Sequence, residues 1–344
     1  MKISAKVFRQ SDGVEKIFRH SIDKHVNDAW EDHVSIDTTA QEKNITYPTD
    51  AKLYKKIIDK CVKKAGDTGA PLRRSYKRTA KQLLRATYNA RHPKRRKNAL
   101  TAQRKLKTIA GRLVPELERK LPQGAYSRQL ELFKKVLAWE KHSKNKIYSL
   151  HEPEVYCMSK AKAHKKYEYG CKASVVFTQN TGIILGAITF KTNFYDGHTL
   201  KQVLQKTQKL TGKIPKTATV DRGYRGKQMV GATQINIPKP PLKKDTPYQK
   251  RKKRKYHRRR AAIEPIIGHL KADHRVARNF LKGQVGDSIN FMMAAAGFNF
   301  KKLMKKLKDQ TLWLKYQMES IVHIIVNQPA QNKSIITIQT NPIF

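Results

Sequence analysis

The sequence predicts an α/β fold, a mixed sheet flanked by helices, with an all-helical insertion after the first strand. Three observations predict it. Strand-like alternation in HVSIDTT is separated from its next instance, YEYGCKASVVFT, by a long stretch of helical spacing. The second half then interleaves strand and helix signals, the order that builds a sheet covered by helices. Hydrophobic residues make up 39% of 344 residues, enough for a core in one large or two modest domains.

The elements follow in order. Residues 1–32 read as polar and helical. In HVSIDTT, Val34 and Ile36 alternate with Ser35 and Asp37, and the strand is expected to end on that acid. From 51 to 144 the segments LYKKIIDKCVKKA, YKRTAKQLLRATYNA, NALTAQRKLKTIAGRLVPELERKL and SRQLELFKKVLAWEKHSK repeat apolar residues every three to four positions, with basic outer faces. Tyr167 to Thr178, the turn QNTG and Ile183 to Lys191 read as a β-hairpin. Thr199 with Gln202 gives a capping box for a helix from Leu200 to Leu210. Lys216 to Asp221 is a short strand, the second to end on an acid, and Gln234 to Pro238 is one more. Lys239 to Arg260 reads as a basic linker. The helix bearing Glu264 is expected to start between Ala261 and Pro265, because a proline in the first turn gives up an N–H that has no helical partner anyway.

Charge limits the partners. Lys and Arg number 73 against 26 Asp and Glu, a formal +47. Such an excess calls for a polyanion, with nucleic acid ahead of a membrane surface. The amino terminus lacks an apolar leader core, and no stretch approaches the ~20 apolar residues of a membrane helix, so a cytoplasmic location is expected. Cys61, Cys157 and Cys171 form no CxxC pair, and Cys157, His164 and Cys171 match no common zinc spacing.

Three acids stand at special places: Asp37 and Asp221 at strand ends, and Glu264 opening a helix after nine basic residues in KRKKRKYHRRR. Between Asp245 and Asp273, Glu264 is the sole acid. Carboxylates from separate segments that converge at one sheet edge could hold two divalent cations about 3.5–4 Å apart for phosphodiester displacement. A surface glutamate that merely offsets local charge is the competing reading.

The runs SIDTTAQEKNITYPTDAKL, HEPEVYCMSKAKAHKKYEYGCKASV, FYDGHTLKQVL, VDRGYRG and RRRAAIEPIIGHLKADHRVARNFLKG, followed by AAAGFNF, resemble bacterial insertion-sequence transposases of the Asp-Asp-Glu type over roughly residues 10 to 305. The resemblance implies an RNase H-like catalytic core. It also implies Asp37, Asp221 and Glu264 as catalytic metal ligands, and Mg²⁺ or Mn²⁺ as cofactor, two ions being expected. The implied activity is metal-dependent endonuclease cleavage at element ends, followed by transfer of the 3′ hydroxyl into target DNA. The implied partners are terminal inverted repeats, target DNA and further copies of the chain in a homo-oligomer, with bacterial nucleoid DNA as the setting. The family's signature around its glutamate finds Arg260, Glu264 and Lys271 in register, with His257 at the position of the usual tyrosine.

On that resemblance the chain divides into a partial N-terminal helical region (1–32), a core of 33–50 and 145–305, a helical insertion (51–144) and a C-terminal tail (306–344). Relatives carry more helix before their first aspartate than the 36 residues here, which suggests a truncated start, and SIVHIIVNQPAQNKSIITIQTNPIF reads as a strand-prone, unrelated tail of the kind a shifted reading frame produces. Arg222, Tyr224, Arg225, His257, Arg260 and Lys271 are expected to contact DNA. Gly223 and Gly226 offer the competing reading of Arg222 to Arg225 as a turn. Asp196 and His198 read equally as site residues or as a helix cap. Glu152 and Glu154 are rival acids. Alternative functions are a nuclease without strand transfer and an inactive DNA-binding remnant.

Overall fold

The computed structural model describes residues 12–326, except 26, 123, 125, 141, 142, 144, 160–164 and 227. His164, the first residues of the N-terminal region and the end of the tail therefore lie outside the described residues.

Helix α1 (Gly13–Asp23) buries Val14, Phe18 and Ile22 and precedes β1 (His33–Glu42). Asp37 does not end that strand, as expected, but sits within it. The reason is long-range: β3 (Tyr167–Thr178) runs antiparallel to β1 from Val34↔Thr178 to Glu42↔Gly170 and carries it past the acid.

Residues 51–144 hold four helices and, among the described residues, no strand: α2 (Asp50–Asp67), α3 (Lys77–Ala86), α4 (Pro93–Lys120) and α5 (Ser127–Leu137). Their apolar faces meet in one cluster, with Leu53, Ile57 and Ile58 of α2 against Leu106 and Leu113 of α4 and Phe133 of α5. The basic outer faces stay in solvent, as an amphipathic stripe requires.

The seven-stranded mixed sheet adds β2 (Tyr156–Ser159), β4 (Ile184–Phe190), β5 (Thr217–Thr219), β6 (Met229–Val230) and β7 (Thr233–Asn236). Its order is β2-β3-β1-β5-β7-β6, and β4 pairs β3. The hairpin strands β3 and β4 are antiparallel, whereas β1, β5 and β7 are parallel, an RNase H-like arrangement. Burial on both faces, between antiparallel neighbours in the middle of the sheet, explains the apolar run of β3, SVVF, in place of alternation.

Helix α6 (Asp196–Thr211) starts ahead of the expected Leu200, so Thr199 is not its cap but lies in its first turn, donating to Asp196 O at 2.6 Å. It packs closely on β4, where any side chain at Gly186 would collide with Thr207.

The expected basic linker is partly helical. Helix α7 (Pro247–Ala261) opens with a capping box in which Thr246 accepts from Gln249 N and Gln249 returns the bond. It ends where Pro265 cannot donate to the carbonyl four residues earlier, at Ala261. Helix α8 (Ile263–Ala272) then buries Ile263, Ile266 and Leu270. Finally α9 (Gly283–Val326) runs far into the expected tail, sustained by helix formers and the exposed Lys315–Glu319 pair at 3.8 Å. Contacts divide the chain into units at Phe298/Asn299, within α9.

Candidate active site

Strand register brings two of the acids together. The parallel pairing of β1 and β5 is His33↔Thr217, Val34↔Ala218 and Ser35↔Thr219. Asp37 and Asp221 each follow the last pair by two residues, so Asp37, within β1, stands level with Asp221, two residues past the end of β5. Beyond Thr219 the chain no longer pairs with β1. Asp221 turns it into a single 3₁₀ turn, Arg222–Tyr224, by accepting from Gly223 N at 2.8 Å. Asp37 accepts from its neighbour's amide, Thr38 N, at 2.7 Å.

Burial first, and then the charges of Asp221 and Asp196, push the Asp37 carboxyl up to about 6; the Thr38 amide and the Arg260 guanidinium oppose this without cancelling it.

Asp196 is the third acid at this level. At the first position of α6 its side chain does not cap its own helix. Instead Oδ1 accepts from Thr38 Oγ1 at 2.7 Å and pairs with Lys172 Nζ at 2.5 Å. The helix-cap reading of Asp196 is thereby corrected: its carboxylate reaches across to β1 and β3. A Cβ at Gly223 would stand 2.9 Å from Asp221 Oδ1 and 3.1 Å from Asp196 Oδ2, so glycine is what fits between these carboxylates.

Glu264 is not brought into this group. Its side chain is 71% exposed, and Arg260 stands between, with Nη1 3.6 Å from Glu264 Oε1 and Nη2 3.9 Å from Asp221 Oδ2. The link spans the break between α7 and α8, which puts Arg260 on the last turn of one helix and Glu264 on the first of the next. Arg260 Nε and His257 Nε2 are buried without hydrogen-bond partners among the described residues.

The expected DNA contacts separate. Arg222 and Arg225 are exposed beside Asp221. Tyr224 between them is a correction: it is fully buried, so its ring is core and has no face to offer a base. Lys271 reaches Glu168 on β3 at 3.5 Å. Among the rival acids, Glu154 is exposed, and Glu152 is a second correction. It is buried against Lys43 at 3.3 Å and accepts from Gly283 N at 3.0 Å, so it locks the start of α9.

No three His, Cys, Asp or Glu side chains among the described residues lie close enough to hold one ion. The chemistry of the donors still fits a divalent cation. Asp37 and Asp221 offer hard oxygen ligands, and the Tyr224 hydroxyl, buried beside Thr38 and within electrostatic reach of Asp37, Asp196 and Asp221, completes no well-formed hydrogen bond. Around them α7 presents a helix with no buried residue, its exposed Arg251, Lys252, Arg254, Lys255 and Arg258 facing solvent.

Residues 136–300 match the family described as the transposase DDE domain. Asp221 and Glu264 lie inside that segment and Asp37 before it. A curated relative from Rhizobium meliloti, "Uncharacterized protein ORF8 in nfe locus", is 45% identical over 51 residues, 15% of this chain and 25% of the relative. The chain thus spans about a quarter of the curated relative it matches. No solved structure matches.

Proposed function

We propose that this chain, a transposase of the DDE type by its matched domain, cuts DNA at insertion-sequence ends and joins the 3′ hydroxyl to target DNA. The observation that carries the reading is the equal offset of Asp37 and Asp221 beyond the last pair of β1 and β5. Two carboxylates at one level of a sheet edge, in a strongly basic chain, suit chemistry on a polyanion.

Asp37 and Asp221 would hold Mg²⁺ or Mn²⁺, two ions in all, with Glu264 as the third ligand once Arg260 releases it. When bound, the ions supply Lewis acidity toward the phosphate and lower the pKa of the attacking water or hydroxyl. The remaining work falls to side chains. Burial and neighbouring charge raise the Asp37 carboxyl, a shift that a bound cation would oppose. The cations of α7, with Arg222 and Arg225, grip backbone phosphates, which positions DNA without reading its sequence. Arg260 bridges the acids and the phosphate-binding helix. His257 and Lys271 extend the same phosphate track on either side.

In this reading residues 33–50 and 145–305 form the catalytic core, 51–144 an inserted helical region, and the active species is a homo-oligomer on bacterial nucleoid DNA in the cytoplasm. Among the described residues no helix is long and apolar enough to cross a membrane.

Incubation of the chain with end-bearing DNA, a target plasmid and Mg²⁺ tests the reading. Joined products that disappear in Asp221→Ala support transposition, and cleavage without joining leaves a nuclease. The outward position of Glu264, tied to Arg260, favours the binding-only alternative. That alternative is established if the wild type and Asp221→Ala bind DNA equally and neither cuts it.

A further inference from the structure

Asp196 does more than any surface acid needs to do. A carboxylate at a helix start ordinarily accepts from its own first-turn amides. This one turns away from them. Its Oδ1 takes the Thr38 hydroxyl at 2.7 Å and Lys172 Nζ at 2.5 Å, joining α6 to both β1 and β3 beside Asp37. Its Oδ2 lies beside Gly223, where a Cβ would come within 3.1 Å of it and within 2.9 Å of Asp221 Oδ1. Like charges gathered this way repel, and a sheet edge has no structural use for the repulsion.

A second observation points to a ligand. Tyr224 is among the largest fully buried side chains in the structure, and its hydroxyl completes no hydrogen bond there. Burial, with the charges of Asp37 and Asp196, disfavours its ionisation, so it stays a neutral hydroxyl whose neighbour Thr38 is already turned to Asp196. A buried polar atom left open toward three carboxylates suits a site whose occupant brings its own ligand waters.

We infer that Asp196 is a positioning residue of the cation site. Through Thr38 it fixes the part of β1 that carries Asp37, and its charge adds to the attraction that Asp37 and Asp221 exert on a divalent cation. Lys172 anchors it from the far side, so the carboxylate is held by one oxygen and presents the other to the site. The inference rests on the metal-dependent reading given above.

Mn²⁺ binding to the full chain without DNA, followed by electron paramagnetic resonance or calorimetry, separates the two. Asp37→Asn should abolish binding. Asp196→Asn keeps the shape and an acceptor for Thr38 but removes the charge; it should weaken Mn²⁺ by about tenfold or more, the usual scale for groups that orient metal ligands. Melting in EDTA checks that the variant folds, since the charge it removes also pairs with Lys172, whereas Mn²⁺ affinity relative to Asp37→Asn reports the site. Thr38→Val, which removes the hydroxyl but keeps the backbone amide on Asp37, should weaken binding in the same direction, and carries the test if Asp196→Asn misfolds. Wild-type affinity in Asp196→Asn or in a lone Thr38→Val, alongside loss in Asp37→Asn, overturns this inference and leaves the metal reading standing. No Mn²⁺ binding by the wild type overturns both.

Discussion

Strand β1 leads from one group of buried acids to another, and the two groups are built on opposite rules. Just past its end, Lys43 is almost fully buried, with its ammonium 2.9 Å from Asp287 Oδ1 and 3.3 Å from Glu152 Oε2. The ammonium also donates to Leu281 O at 2.7 Å. Asp287 takes a further bond from Asn279 Nδ2 at 2.7 Å. Burial still raises the Asp287 carboxyl, against the pull of Lys43, Asn279 and Gln41. Around Asp37 there is no such closure. Two further acids press on it; Lys172 is taken up by Asp196, and Arg260 stands 3.9 Å from Asp221 and is shared with Glu264. A closed network of buried charge pins elements together, and an open one is kept for a partner.

The comparison breaks most visibly in catalysis. Asp221→Asn keeps an acceptor for Gly223 N, so the turn should survive, while a carboxylate is lost from the site. Loss of several kcal/mol of metal-derived stabilisation corresponds to a fall of roughly a thousandfold in cleavage rate. The assay is cleavage of end-bearing DNA in Mg²⁺, with thermal melting as control. A fall of less than tenfold in a folded variant removes Asp221 from the chemistry.

The closed network gives the largest expected effect on stability. Lys43→Met leaves Glu152 and Asp287 buried without their cation, and stripping one partner from such a group costs about 3–5 kcal/mol. Urea denaturation should show this as a lower midpoint at unchanged slope. A loss under about 1 kcal/mol would mean that water already reaches the group.

The open cluster should behave in the opposite way. Folding raises the Asp37 carboxyl from 3.8 to about 6, so the native state favours the proton. Its contribution to stability is therefore fully present below the unfolded value and is lost as pH rises through about 6. Asp37→Asn should then stabilise the cation-free protein above pH 6, by something on the order of 2 kcal/mol, and flatten the decline between pH 4 and 6 relative to wild type. Cation affinity runs the other way, falling by about tenfold per pH unit below 6, since the proton and the cation compete for one carboxylate. Equal melting curves for the two proteins from pH 4 to 8 would contradict the uncompensated charge.

Much of this was legible in the sequence, and the misses have physical causes. The alternation of Val34 and Ile36 and the run KTATVD carry the two strands, with Asp37 inside the first and Asp221 not at the end of the second, as expected, but two residues past it. That β1 continues past Asp37 depends on β3, far away in the chain, which no local pattern reveals. The charge run before Glu264 reads as linker because its repulsion hides its helix, yet Thr246, Pro247 and Gln249 spell a helix start that could have been read. Glu152 could not be told from a site acid, because its partner Lys43 is distant in sequence and unremarkable within it. Tyr224 shares its tripeptide surroundings with two exposed arginines, and only the turn shows that it points inward while they point out.

Helix α7 supplies the smallest effect and the finest test of the contrast. Its Arg251, Arg254, Lys255 and Arg258 follow one another at helical spacing on an exposed face, and none of them is packed into the fold. If these cations balanced the open acids within the fold, replacing them by alanine would cost stability. If they await DNA, it would not, because alanine is at least as good a helix former and no packing is lost. Each phosphate contact that releases a counterion contributes about 0.9 to the slope of log affinity against log salt. A single Arg254→Ala should therefore leave melting unchanged within about 0.5 kcal/mol and lower that slope by about one, alike for every DNA sequence. A change confined to one sequence would instead make α7 a reader of bases, and the cations beside the open cluster would then serve recognition rather than grip.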